Sequence, residues 1–425
     1  ETLAGGDPRG DIPVIVRFAD RIDLKALRKD VARTLKEQYP DPKERKAARK
    51  QLKRAILVER LKEKAKKSAQ LVRKFLKSKG ESRELGSLWA INGVAVSVPA
   101  DLVDDLAGLP GVERVGLDAK IQAPGPGTAP TGPTNWNLDQ TGAPILWQAG
   151  HTGTGVVVAT LDTGADATHP DLGPRWRGGD NSWFDPYEQH AAPADKNGHG
   201  TRVMGLIVAG DAVWYQIGMA PDAQWIAAKI FDDFDEATLS GIHAAYQWVL
   251  DPDGDSATDD APDIVNNSWA LEGTVDQCNQ EFALDISLLK AAEIAVVFSA
   301  GNYGPGSNTS VSPANDPSVM SVGAVDYYSN VDVLSSRGAN ACDGGVYPTL
   351  TASGDGVLTT DPVTLFNSSY PYATVSGTSF AVAHVAGAMA LLKGAFPEAT
   401  VSQIEASLID TVVDFDPLGA DNDYG

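Results

Sequence analysis

Five short apolar runs, at 155–161, 224–230, 263–269, 294–300 and 319–325, alternate with segments of helical period near 199–208, 236–249, 281–293, 378–393 and 401–409. Runs this short and this uniformly apolar suit strands buried on both faces, and the intervening helices are the crossovers that parallel strands require. The expected fold class is therefore α/β, a parallel sheet with helices on both faces. In open sheets of that kind, functional groups collect at the carboxyl ends of strands and at the helix N-termini that follow them.

Three segments put chemistry at such places. Asp162-Thr163-Gly164 closes the apolar run 156–161, Asn197-Gly198-His199-Gly200-Thr201 opens a helical segment, and Gly377-Thr378-Ser379-Phe380-Ala381 opens a helix of small apolar residues. A hydroxyl becomes a useful nucleophile when an imidazole takes its proton, and the imidazole needs a carboxylate to fix its tautomer. Each tripeptide alone is common. The order Asp, His, Ser is that of subtilisin rather than of chymotrypsin or the α/β-hydrolases, and the segment around Ser379 lacks the second glycine of a G-x-S-x-G elbow.

On these residues the chain resembles the subtilisin-like serine peptidases (subtilases) over roughly 135–425. The resemblance implies that Asp162 orients, His199 acts as general base and acid, and Ser379 is the nucleophile. Ser299-Ala300-Gly301-Asn302 matches the family's oxyanion segment, making Asn302 a donor to the tetrahedral oxyanion. Extended peptide substrate is expected along Ser268, Trp269 and Ala270 and along Ala300 and Gly301. Arg202, Phe380 and Ala383 replace a histidine, a methionine and a proline of the usual pattern, and Ala270 replaces a glycine that helps shape the primary specificity pocket. The closing Asp421-Asn422-Asp423-Tyr424-Gly425 resembles the start of the family's final motif, so the domain is expected to be truncated at its C-terminus.

Charge divides the chain. Residues 1–130 hold 27 Lys and Arg against 18 Asp and Glu, a net +9, whereas 131–425 hold 8 against 38, a net −30. Opposite surfaces of this kind attract and speed docking. In the basic part, strands are expected at 12–18, 90–98 and 112–117, with a short helix from Pro99-Ala100-Asp101 to about Gly108. This resembles the subtilase propeptide, a small α+β unit that covers the active site until cut. A charged helical insertion, about 22–85, contains a helix near 24–38, a break at Pro40-Asp41-Pro42, and a second helix near 44–77. Its stripe of Leu52, Ile56, Val58, Leu61, Ala65, Val72 and Phe75 reads as helix packing. Without aromatic interleaving, the basic helices are not expected to bind nucleic acid. The domains expected are a propeptide at 1–123, a Pro/Gly-rich linker at 124–134 that suits processing, and a peptidase domain at 135–425.

Asp251, Asp253, Asp255, Asp259 and Asp260 place carboxylates at alternating positions of a loop, a pattern suited to structural calcium. Asp171 matches a family calcium ligand. No organic cofactor is expected, and scattered histidines argue against catalytic zinc. Cys278 and Cys342 fit either one disulfide or two buried thiols. No apolar run approaches a membrane span, and nothing near Glu1 reads as a signal sequence. The expected activity is that of a secreted serine endopeptidase proenzyme acting on polypeptides, with its own propeptide as intramolecular inhibitor. The alternative is a non-catalytic binding protein on the same fold, which the intact Asp162, His199, Ser379 and Asn302 disfavour.

Overall fold

The computed structural model describes residues 10–125, 127, 135–210, 212, 216–366, 370–415 and 419–425. Most of the expected linker, 124–134, lies outside the described residues. The chain forms two compact units, residues up to 120 together with 238–261, and residues 121–237 together with 262–425. This division differs from the sequence expectation in giving an internal stretch, 238–261, to the N-terminal unit.

The N-terminal unit is an antiparallel sheet of β1 (Asp11–Phe18), β2 (Gly86–Leu88), β3 (Gly93–Pro99) and β4 (Val112–Leu117), in the order β2-β3-β1-β4. Between β1 and β2 stand α1 (Leu24–Gln38) and the 37-residue α2 (Pro42–Ser78). Asp23 and Asp41 cap them, each accepting two backbone N–H groups of the first turn, and Pro42 opens α2 where no N–H is needed. Period 3.6 brings Leu27, Val31 and Leu35 of α1 onto one buried face, and α1 packs along α2. The far end of α2 delivers Val72 and Leu76 to a core made with Val14, Val16, Phe18, Val94, Val96 and Val98. The expected strand 90–98 starts late, at Gly93, because Asn92 turns the chain with φ 50°. A short helix, α3 (Val103–Ala107), follows β3 as expected. Within the same unit, the helix Leu239–Leu250 is tied down by Ser240, which donates to Asp118, and by Gln247, which accepts from Ala90 N–H at 3.0 Å.

In the second unit, the end of β5 (Lys120–Gln122) leads to β6 (Val157–Asp162), β7 (Trp183–Phe184), β8 (Gln224–Lys229) and β9 (Glu236–Thr238). After these come β10 (Ile264–Asn267), β11 (Ala295–Ser299), β12 (Met320–Val325), two short pairing strands β13 (Gly338–Ala339) and β14 (Val346–Tyr347), and β15 (Leu350–Ser353). A hairpin of β16 (Val357–Thr360) and β17 (Tyr372–Val375) precedes the last long helix. Seven strands form one parallel sheet in the order β15-β12-β11-β10-β6-β8-β7. The helix Thr378–Ala395 packs over β10, β11, β12 and β15, and His199–Val208 lies beside it. Val297 of β11 joins that core, so its neighbour Phe298 faces the other side. There Phe298 meets Trp269, which stacks edge-on against Phe282 at the start of the helix Ala283–Ala291. Helices thus cover both faces.

The helix Thr378–Ala395 has the length and composition of a membrane span, a property the sequence reading did not register, but 72% of it is buried inside the fold. Its glycine, Gly387, lets it close on Met219, since a methyl there would collide with that side chain. Cys278 and Cys342 form a disulfide across 64 positions of sequence, a closure that constrains the unfolded chain by about 4 kcal/mol.

His384 is enclosed in this helix. Its Nδ1–H donates to the Phe380 carbonyl at 2.8 Å, and its Nε2 accepts from Asn137 Nδ2 at 2.7 Å. Burial lowers its pKa to about 4, because a proton on Nε2 would bury a charge and remove the acceptor that Asn137 needs. Between about 4 and the ordinary 6.5 the unfolded chain binds the proton and the folded chain does not. Stability should therefore fall as pH drops through that window, by roughly 3 kcal/mol in all. Thermal melting of the parent and of His384→Asn across pH 7 to 4 checks this. The variant should start lower and show a shallower decline.

Candidate active site

Strand β6 ends at Asp162 and the helix His199–Val208 begins with His199, so sheet and helix bring the two side chains together at the carboxyl edge of the sheet. His199 Nδ1–H donates to Asp162 Oδ1 at 2.8 Å, and both side chains are about 1% exposed. Thr163 N–H donates to the same oxygen at 2.7 Å. With Nδ1 protonated, His199 Nε2 keeps its lone pair. Two glycines allow the approach: a methyl at Gly200 would collide with the Gly164 carbonyl, and one at Gly164, where φ is 120°, with the Ala194 carbonyl.

A second buried carboxylate holds this arrangement. Asp195 accepts from Thr163 Oγ1–H, Asn197 N–H and Gly198 N–H on one oxygen, and from Thr201 N–H and Oγ1–H on the other, at 2.7–3.1 Å. It joins the end of β6 to the first turn of the histidine helix. Sequence reading missed it, although an aspartate four residues before His199 was there to be seen.

Ser379 stands in the first turn of the helix Thr378–Ala395. Its hydroxyl donates to the Ser268 carbonyl at 3.2 Å, while Ser268 Oγ–H donates back to the Ser379 carbonyl at 2.9 Å and receives Asn266 Nδ2–H. The ring of Phe380 lies 5.6 Å from that of His199. Asn302 Oδ1 accepts from both N–H and Oγ1–H of Thr378, each at 3.0 Å, which leaves its Nδ2 as a free-standing donor beside Gly377. Arg202 is absorbed by a buried ion pair with Asp361, with Nη2 at 2.7 Å.

The substrate edge is expected along the main chain of 268–270 and 300–301. Ser268 adjoins Ser379, but Trp269 turns its ring into the core and Ala270 is half-buried. Ala300 and Gly301 have their backbone groups committed elsewhere. The Ala300 carbonyl accepts from Tyr347 Oη–H at 2.5 Å, Gly301 N–H donates to Thr378 Oγ1, and its carbonyl accepts from Ser336 N–H. A different edge carries an extended segment. β9, which the sequence reading merged into the following helix, forms a two-stranded ladder with the end of β5, and Ala123 N–H donates to the Asp235 carbonyl at 2.7 Å. Farther along, a methyl at Gly127 would sit 3.1 Å from the Ser376 carbonyl and 2.8 Å from the Phe380 ring. Described residues 121–125 and 127 therefore lie between β9 and the turn that precedes Ser379.

The acidic positions do not converge. Asp253 accepts from Asp255 N–H and Thr258 Oγ1–H, Asp255 from Ala257 N–H, Asp251 pairs with Lys62, and Asp259 with Arg54. Asp260 adds no third ligand. Asp171 spends both oxygens, on Ala212 N–H and on Tyr372 Oη–H. Burial and that carboxylate together push the Tyr372 phenol upward. Among the described residues no three Asp, Glu, His or Cys side chains are placed to hold a metal. The loop aspartates read from the sequence thus form no shared cluster of carboxylates, and much of the loop beside Asp171 lies outside the described residues.

A family model described as the subtilase family matches residues 153–425. Bacillopeptidase F of Bacillus subtilis (strain 168) is 33% identical over 393 residues, covering 84% of this chain and 27% of its own length. Alkaline elastase YaB of Bacillus sp. (strain YaB) is 32% identical over 332 residues, 78% of this chain and 76% of the relative. Subtilisin Savinase of Lederbergia lenta is 33% identical over 290 residues, 68% and 94%. The chain thus spans about a quarter of bacillopeptidase F but most of the other two. With Asp162 ending a strand of the seven-stranded parallel sheet and His199 and Ser379 opening helices in this chain order, the chain belongs to the subtilase family of subtilisin-like serine peptidases.

Proposed function

We propose that the chain is the precursor of a secreted serine endopeptidase. The buried His199–Asp162 pair carries the reading, since a tautomer locked with Nε2 unprotonated is what a general base requires. Ser379 Oγ attacks the substrate carbonyl carbon as its proton passes to His199 Nε2, and Asp162 stabilises the imidazolium that forms. The oxyanion is held by Asn302 Nδ2 and by Ser379 N–H, one of the first helical N–H groups without an intrahelical acceptor. His199 then gives its proton to the leaving amine, and water, activated by the same base, releases the acyl group from Ser379. Secretion is supported by the Cys278–Cys342 bridge, since disulfides persist in oxidising compartments. Residues 1–123 act as propeptide and inhibitor. Support comes from residues 121–123, which pair along β9, and from Gly127, which lies against the Ser376 carbonyl and the Phe380 ring, as a bound peptide would.

Acting as one unit, Ser379→Ala and His199→Ala should each lower kcat by about 10⁶-fold, the loss found in subtilisin itself, and the double variant should lose little more. Steady-state hydrolysis of a chromogenic peptide reads this, and additive losses would remove the assignment. Asn302→Ala should lower kcat by about 10²–10³-fold, again the subtilisin value, with KM little changed. A change confined to KM would place Asn302 outside the oxyanion hole. Intact-mass analysis of the incubated chain should show a cut between Ala123 and Gly127, and none in Ser379→Ala. A product beginning at Trp136 or later, or processing of the pure serine variant, would refute self-cleavage at this segment.

A further inference from the structure

The loop that reads as a cation site is filled from within the chain. Gln51, Arg54 and Lys62 fall within about 80° of one another around α2, and all three reach residues 251–261. Gln51 Nε2 donates to the Ala257 carbonyl at 2.7 Å. Arg54 Nη1 donates to Asp259 Oδ1 at 3.0 Å and to the Ala261 carbonyl at 3.4 Å. Lys62 Nζ pairs with Asp251, donates to the Gly254 carbonyl at 3.0 Å, and lies 5.5 Å from the centre of the Trp89 ring. These partners span the loop from end to end and combine carboxylates with backbone carbonyls, so they read its conformation as well as its charge. The Asp251 carboxylate and the Arg54 side chain are almost fully buried, 2% and 5% exposed. Salt screens such pairs weakly, and removing one partner strands a buried charge.

We propose that α2 is a recognition arm and that the acidic loop 251–260 is its docking surface, so that the Arg54–Asp259 and Lys62–Asp251 pairs make the segment 1–123 selective for its own peptidase chain and delay its release. The regulatory part rests on the reading given under Proposed function. The contact straddles the expected cut, because α2 precedes residue 123 and the loop lies in the family-matched region, 153–425. Cleavage near 123–127 would leave the two sides of the contact on separate polypeptides, joined by these bonds together with those of Asp118 to Ser240 and of Ala90 to Gln247. A positively charged insertion in the propeptide thereby takes the place that the carboxylate spacing would assign to a metal ion.

Amide exchange in the full-length Ser379→Ala chain reports docking without reference to activity. Arg54→Glu and Asp259→Arg should each speed exchange across 251–261 by about tenfold, and the charge-swapped double variant should return it to within about threefold of the parent. Amides of β1 and β3 monitor the fold. If Arg54→Glu loosens those as well, Lys62→Met, which keeps the aliphatic stem and removes the charge, gives the same reading at Asp251. In the active chain, either single change should shorten the lag before proteolysis begins, and the swap should restore it. The proposal is overturned if the double variant exchanges as fast as the singles, if neither single moves the loop, or if calcium chloride alone restores protection in Arg54→Glu. Swap-dependent protection in Ser379→Ala alongside an active chain with no lag would refute the inhibitor reading and leave the recognition contact standing.

Discussion

The geometry of the Asp162–His199 pair depends on a second buried carboxylate. Asp195 is buried and receives five hydrogen bonds, from the residue that follows Asp162 and from the turn that presents His199. Without such an acceptor, the first N–H groups of the histidine helix would be buried and unpaired, at about 1–3 kcal/mol each. With it, the end of β6 and the start of that helix become one rigid piece, and the 2.8 Å contact between His199 and Asp162 follows from backbone geometry rather than side-chain chance. Thr163 closes the circuit, donating to Asp195 and accepting from Gly200 N–H at 2.9 Å. The same logic holds at Asn302, whose amide oxygen is fixed by Thr378 on the helix that bears Ser379.

What could be read from the sequence follows from the range of the interactions involved. Helices α1 and α2 came out nearly to the residue, because their period, their caps Asp23 and Asp41, and the prolines at 40 and 42 are all local. The central strands were legible for the same reason, as uniformly apolar runs. β9 was not: three residues, Glu236-Ala237-Thr238, directly precede a helix capped by Thr238, and only a partner strand from residues 120–122 makes them extended. β15, Leu350–Ser353, escaped because Leu-Thr-Ala-Ser is not uniformly apolar, as suits an edge strand that is only partly covered. Asp162, His199, Ser379 and Asn302 stood out because each sits in a glycine-marked turn at a strand end or helix start. Asp195 has no such marker, and its role is visible only when Thr163 and Thr201 arrive from opposite sides.

The acidic loop shows how charge alone misleads. Alternating aspartates call for positive charge, and sequence cannot tell whether a metal ion or distant cationic side chains supply it. Here Arg54 and Lys62 come from about 190–205 positions away. The net +9 and −30 of the two parts of the chain are consistent with that choice, but the specificity lies in three residues on one face of α2, since diffuse charge selects no conformation.

One atom at the site remains unmatched. Asp162 Oδ2 is buried and has no hydrogen-bond partner among the described residues, while Oδ1 accepts from both His199 and Thr163. On the reading proposed above, the imidazolium that forms at His199 during turnover faces the Asp162 carboxylate through Oδ1, where Thr163 N–H holds that carboxylate at a fixed angle. Asp195, satisfied on both oxygens, fixes Thr163 and the turn before His199, so the orientation of the pair is set before any substrate arrives.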